Sequence, residues 1–186
     1  MIFLPASRRV AKPWKNGAGV TREVAAFPPG SGLDSFDWRV SIADVGEDGP
    51  FSLFPGIDRT LTILSGDGIT LEVAGRPSQL RPGGQPHSFP GDQPAGCALL
   101  GGPVVDLNVM SRRSEIAHKV MPISLPQTIP VEEGVLVWIK GTGRVTGPDG
   151  TFEMGCFDAL QSRAPGEWKI EGETFLAYYA AFTRLK

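Results

Sequence analysis

Arg59-Thr60-Leu61-Thr62-Ile63-Leu64, then Gly66-Asp67-Gly68, then Ile69-Thr70-Leu71-Glu72-Val73 is the stretch that decides the fold class. Polar and apolar residues alternate on both sides of the glycines, which is the period of a strand with one face turned inward. Paired glycines between two such runs predict a β-hairpin. The pattern returns 75 residues later: Gly134-Val135-Leu136-Val137-Trp138-Ile139 leads into Gly141-Thr142-Gly143 and Arg144-Val145-Thr146. Gly66 and Gly68 fall on Gly141 and Gly143, and Leu61 and Ile63 on Leu136 and Trp138. A phosphate-binding G-x-G would need a helix N-terminus after the glycines. More strand follows here instead.

The likeness extends downstream. Leu80-Arg81-Pro82-Gly83-Gly84-Gln85-Pro86-His87 precedes the apolar Cys97-Ala98-Leu99-Leu100. Gly155-Cys156-Phe157-Asp158-Ala159-Leu160 precedes the turn Pro165-Gly166 and a long strand from Phe175 to Phe182. Strand, glycine turn, strand, Pro/Gly turn, strand outlines a small antiparallel barrel, and two copies predict two barrels. The repeat resembles the cupin pattern, a conical barrel open to a ligand, in which the Leu80 to His87 stretch lines one wall. The expected class is all-β and cupin-like, a double-stranded β-helix of the RmlC type in two small barrels, or bicupin. Residues 1–115 would form the first barrel with the pocket, and residues 116–186 the second, structural one. Ser111 to Val120, with Ser111 or Ser114 as N-cap, is the one stretch that reads as helix. Pro122, Pro126 and Pro130 then fit an irregular crossing.

Composition agrees. Of 186 residues, 24 are Gly and 17 Pro, too many for long helices. With 41% apolar residues and a net charge of -2, the chain is neither disordered nor built for a nucleic-acid backbone. No apolar run reaches the length of a membrane span, and Met1 to Pro5 is too short for a signal segment, so the expected location is the cytoplasm. Cys97 and Cys156 lie among apolar residues and read as buried thiols. The two histidines, His87 and His118, stand far apart without an H-x-H, so neither a metal nor any other cofactor is expected. No G-x-S-x-G elbow is present.

Four segments set polar residues among strands. Lys12 to Glu23 combines Trp14, Lys15, Asn16 and Arg22 around Gly17 and Gly19. In Phe36-Asp37-Trp38-Arg39-Val40-Ser41-Ile42-Ala43, strand alternation puts Asp37, Arg39 and Ser41 on one face and Trp38, Val40 and Ile42 on the other. Phe51 to Arg59 contributes Phe54 and Arg59. In Val105 to Arg113, Asp106 and Asn108 share a face. Such faces meet either solvent or a polar cavity.

These four segments resemble the HutD/Ves family of bacterial proteins. The match rests on Pro13-Trp14-Lys15-Asn16-Gly17 with Gly19 and Thr21-Arg22-Glu23, on Phe36 to Ala43, on Asp48-Gly49-Pro50-Phe51-Ser52 with Phe54-Pro55-Gly56-Ile57-Asp58-Arg59, and on Asp106-Leu107-Asn108-Val109-Met110. Ala18 stands where the family more often has Gly, a substitution that would be strained at positive φ. The resemblance implies a two-barrel cupin and an association with histidine utilisation, where a pathway metabolite is bound and the pathway moderated. It brings no established catalysis. The ligands it implies are formylated glutamate or urocanate, both carboxylates. Arg22, Arg39 and Arg59 would then grip carboxylates and Lys15 would add a charge. Asn16 and Asn108 would orient a formyl or amide group, and Trp14, Phe54 and Phe89 would supply apolar walls. His87 and Asp106 complete the candidate set. The partner expected is thus a small carboxylate metabolite, with no nucleic acid and no membrane, and exposed strand edges allow a homodimer. The alternative is an enzyme on the same scaffold, an isomerase or hydrolase with His87 or Asp106 as acid or base.

Overall fold

The computed structural model describes residues 1–14, 17–172 and 176–185. Among these, one 3-10 turn at Ala6–Arg8 is the only helical element. The strands are β1 Ile2–Leu4, β2 Ala11–Pro13, β3 Gly19–Phe27, β4 Trp38–Val45, β5 Gly49–Pro50, β6 Ile57–Ser65, β7 Ile69–Val73, β8 Arg76–Leu80, β9 His87–Pro90, β10 Ala95–Leu99 and β11 Val104–Arg112. They continue as β12 Ile116–Ser124, β13 Gln127–Val131, β14 Gly134–Trp138, β15 Gly143–Gly147, β16 Gly150–Met154, β17 Ala159–Ser162, β18 Gly166–Gly172 and β19 Leu176–Arg184. No helix among the described residues is long and apolar enough to cross a membrane.

The chain divides into two units. The first holds Val10–Ala117 and the last residues from Arg184; the second holds Met1–Arg9 and His118–Thr183. In the first, a six-stranded sheet runs β2-β3-β4-β11-β6-β9 and a four-stranded sheet runs β5-β10-β7-β8. In the second, a five-stranded sheet runs β1-β17-β14-β19-β12 and a four-stranded sheet runs β13-β18-β15-β16. The eight strands β4 to β11 repeat in topology as β12 to β19: β4-β11-β6-β9 corresponds to β12-β19-β14-β17, and β5-β10-β7-β8 to β13-β18-β15-β16. The first nine residues count with the second unit because β1 pairs with β17, Phe3 opposite Leu160.

Each unit packs its two sheets over its own apolar core. Leu61 and Ile63 of β6 meet Ile69, Leu71 and Val73 of β7 and Leu80 of β8 in the first. Leu136, Trp138, Val145, Trp168 and Tyr179 fill the second. Burying side chains of this size stabilises by about 1.5–3 kcal/mol each.

Three local readings change. The predicted hairpin is a corner: β6 and β7 lie in different sheets of one unit, as do β14 and β15. The glycines remain necessary there. Gly66 and Gly68 have φ of 93° and 103°, and a Cβ on either would run into the Pro103 or the Leu80 carbonyl. Residues 111–120 are not helical but the end of β11, a turn closed by Glu115 N–H to the Arg112 carbonyl, and the start of β12. The β-branched Val109, Ile116, Val120 and Ile123 favour this extended path. Cys156 is exposed, since it sits in the tight turn where Asp158 N–H donates to the Gly155 carbonyl; Cys97 is buried. Ala18 has no positive φ, so its Cβ is not strained by its backbone.

Candidate functional site

Strand register sets the site. Directly opposed residues of an antiparallel pair point to the same face. Across the six-stranded sheet, Arg39 of β4, Met110 of β11, Arg59 of β6 and Phe89 of β9 form one rung. The next holds Glu23 of β3, Ser41, Asn108, Leu61 and His87. The third holds Thr21, Ala43, Asp106 and Ile63. Because Ala43, Leu61, Ile63 and Phe89 belong to the core of the first unit, all three rungs face its interior. The polar face expected of β4 is therefore turned inward, and the opposite face with Trp38, Val40 and Ile42 is buried as well.

Arg59 is the centre of this interior. It is 4% exposed, and its guanidinium carbon lies 5.1 Å from the Phe89 ring, 5.3 Å from Phe51 and 5.5 Å from Phe54. Three aromatic faces offset part of the lost hydration of a buried cation. One guanidinium nitrogen donates to the Ser52 carbonyl at 3.3 Å, while Nε has no partner. Burial lowers the Arg59 pKa to about 10, against the attraction of Asp106. It stays charged at neutral pH.

Asp106 is 2% exposed. Its Oδ1 has no hydrogen-bond partner, and neither has Oδ1 of Asn108 on the adjacent rung. Burial pushes the Asp106 carboxyl up to about 7; Arg59 opposes that rise and Asp44 adds to it. Buried polar atoms are nearly always paired, yet Arg59 Nε, Asp106 Oδ1 and Asn108 Oδ1 on this inward face have no hydrogen-bond partner. Arg39 is committed differently. Its Nε donates to Glu23 Oε2 at 2.9 Å, and a second nitrogen to Ser41 Oγ at 3.3 Å.

The other expected residues divide. Phe54, Phe89 and His87 join the same interior, with the His87 ring 6.3 Å from Phe89. Trp14 packs against the core and donates its indole N–H to Thr21 Oγ1 at 2.7 Å. Arg22 does not join: it is paired in register with Ile42, on the other face of the sheet, and bonds Asp44 at 2.5 Å. Lys15 and Asn16 lie outside the described residues. Glu23, Phe51 and Met110 were not expected there; all three stand inside the quoted motifs, but only the register and ring contacts give them a place. Among the described residues no group of three His, Cys, Asp or Glu gathers as a metal site. An open depression of about 410 Å³ lies elsewhere, lined by Thr70, Glu72, Gly96 and Ala98 among others and by none of the candidate residues.

The repeat supplies a control. Gly134 pairs with Ala181 and Ser162 as Arg59 pairs with Met110 and Phe89. By the same register, Tyr179 stands for Asn108, Ala177 for Asp106, and Leu160 for His87. A Cβ on Gly134 would lie 2.5 Å from the Tyr179 hydroxyl. That hydroxyl lies 3.2 Å from the Glu132 amide and donates to its carbonyl at 3.3 Å. The second unit thus fills with Tyr179 the space that the first gives to Arg59.

The model of the HutD family matches residues 6–177. The chain is 30% identical over 173 residues to Protein Ves of Cronobacter sakazakii, covering 92% of this chain and 88% of that one. It is 46% identical over 98 residues to an uncharacterised 21.2 kDa protein in the hutC 3′ region of Pseudomonas putida, covering 53% and 51%. The matched stretch thus spans about half the length of that relative, as it does of a Protein Ves from Citrobacter koseri at 56%. Among solved structures, HutD from Pseudomonas fluorescens SBW25 superposes with a TM-score of 0.87 at 29% identity, over 100% of this chain and 99% of that one. A cupin 2 conserved barrel protein from Leptotrichia buccalis, at TM-score 0.61 and 11% identity over 94% and 92%, shares the fold.

Proposed function

This chain belongs to the HutD family, linked to histidine utilisation, and on that premise we propose that it binds a small carboxylate metabolite of histidine degradation and so moderates the pathway. The single observation that carries the reading is Arg59: a buried guanidinium, set among three phenylalanines, with its Nε unpaired. A fixed cation in an apolar, low-dielectric interior favours a planar anion, and the rings hold the guanidinium in place before the anion arrives. Asn108 on the next rung and Asp106 on the one beyond it carry unpaired oxygens on the same inward face. Nothing in this recognition calls on a metal. Formylglutamate and urocanate are the ligands that the family resemblance implies, and each carries a carboxylate.

Isothermal calorimetry with each compound tests the reading. We expect saturable heat for at least one. Replacing Arg59 by Met, which keeps the length of the stem, should weaken binding by about 1.5–3 kcal/mol, the range for hydrogen bonds to charged groups. No heat from either ligand with folded protein refutes the assignment.

A second reading, an acid–base enzyme on the same scaffold, is favoured by one fact. Asp106, with a carboxyl raised to about 7, shares its inward face with His87. Product formation from either compound, abolished in Asp106→Asn, would promote this reading over simple binding.

A further inference from the structure

Asp106 sits in the interior of the first unit with an unpaired Oδ1 and a cation, Arg59, close enough to attract it. The charged and titratable groups around it are few. β6 supplies Arg59 and β9 supplies His87. β4 supplies Arg39, already bonded to Glu23 of β3, and Asp44 from its other face. From β10 comes Cys97, whose thiol burial pushes up to about 11, so it stays neutral. β7 and β8 present only Ile69, Leu71, Val73 and Leu80 to this core. An ionised Asp106 therefore has one free cation to answer it among the described residues, and that cation is the group we assign to the ligand.

A carboxylate that settles on Arg59 changes this balance. Two carboxylates would then share one guanidinium in a low-dielectric interior. Like charges at such a site cannot both ionise at their ordinary values, and the more deeply buried acid takes the proton. Burial has already moved the Asp106 carboxyl most of the way, to about 7. We propose that Asp106 takes up a proton when a carboxylate enters the first unit, so that ligand binding is coupled to proton uptake and the protonated acid donates a hydrogen bond to the ligand. The proton comes from bulk solvent, forms the Oδ–H bond, and returns to solvent when the ligand leaves. One conversion accompanies this: an unpaired acceptor becomes a donor, able to meet a ligand oxygen. The inference rests on the carboxylate reading of the site and adds to it a pH dependence. By linkage, affinity falls about tenfold per pH unit above the midpoint of the free protein and levels off above that of the complex.

The test is calorimetry with N-formylglutamate and with urocanate, at about pH 8, in two buffers of different ionisation enthalpy. The wild-type heat should differ between buffers by an amount approaching one proton per ligand. In Asp106→Asn the difference should vanish and the affinity should no longer follow pH. Binding without a buffer-dependent heat overturns the coupling while leaving the carboxylate site standing. Uptake that persists in Asp106→Asn and disappears in His87→Gln assigns the proton to His87 and also overturns it. Absence of any binding heat removes the carboxylate reading and this inference together. Infrared difference spectra on adding the ligand at about pH 8 should show the carbonyl band of a newly protonated acid that Asp106→Asn lacks. A wild type that binds the ligand without gaining that band refutes the proposal.

Discussion

Replacing Asp106 by Asn should make the protein more stable, and more so at alkaline than at acidic pH. The carboxyl ionises near 3.8 when unfolded and near 7 when folded. Because the folded value is the higher one, ionisation opposes folding: the penalty starts as pH rises past the unfolded value and is complete above the folded one. One pKa unit corresponds to about 1.4 kcal/mol, so a rise from 3.8 to about 7 amounts to about 4 kcal/mol at full development. Roughly 1.5 kcal/mol of this is already present at pH 5, leaving about 2.5 kcal/mol to appear between pH 5 and pH 8. Asn is isosteric and never ionises, so it escapes the penalty. Urea unfolding of both proteins at the two pH values measures it, and titration of all other groups cancels in the difference. The wild type should lose about 2.5 kcal/mol relative to Asp106→Asn over this range. Parallel profiles, agreeing within about 0.5 kcal/mol, would refute the claim that Asp106 is held in an environment hostile to its charge.

Three further outcomes follow from the geometry. Gly134→Ala sets a methyl group 2.6 Å from the Ala180 carbonyl and against the Tyr179 ring, and should cost about 1–3 kcal/mol in urea unfolding, as overpacking does. Tyr179→Phe leaves the Glu132 amide without its phenolic partner and should cost about 1–2 kcal/mol, with ligand binding in the first unit unchanged. Thiol labelling of the native protein should modify the exposed Cys156 and spare the buried Cys97, with mass spectrometry of tryptic peptides counting the adducts; equal labelling would contradict their burial.

The grouping of Arg39 with Ser41 was legible because period-two alternation needs no partner: once Trp38 to Val45 is a strand, the two must share a side. Which side faces the core was not legible, since Trp38, Val40 and Ile42 are the more apolar set and are also buried. The false hairpin has a similar cause. A corner between sheets and a hairpin both need glycines at positive φ between two alternating runs, and only pairing partners distinguish them. The false helix rested on Ser111 and Ser114 as possible N-caps, and serine suits a strand end or a turn equally well: Ser111 lies in β11 and Ser114 in the turn before β12. Arg22 and Arg39 looked alike as cations on neighbouring strands, yet register places them on opposite faces. The cluster of Arg59 with Phe51, Phe54 and Phe89 unites β6, β9 and the loop before β6, and no local pattern encodes that meeting.

The pairing of β1 with β17 has a consequence for synthesis. Val10–Ala117 carries nearly every strand of its own unit in unbroken order, so that unit can collapse while the remaining half is still being translated. The first strand cannot do the same: Phe3 must wait for Leu160, about 157 residues downstream, before its backbone finds a neighbour. Ile2–Leu4 is therefore made well before its partner strand and locked only once β17 is available. A nascent chain halted after β11 should leave Ile2–Leu4 protease-sensitive beside a resistant Val10–Ala117 unit.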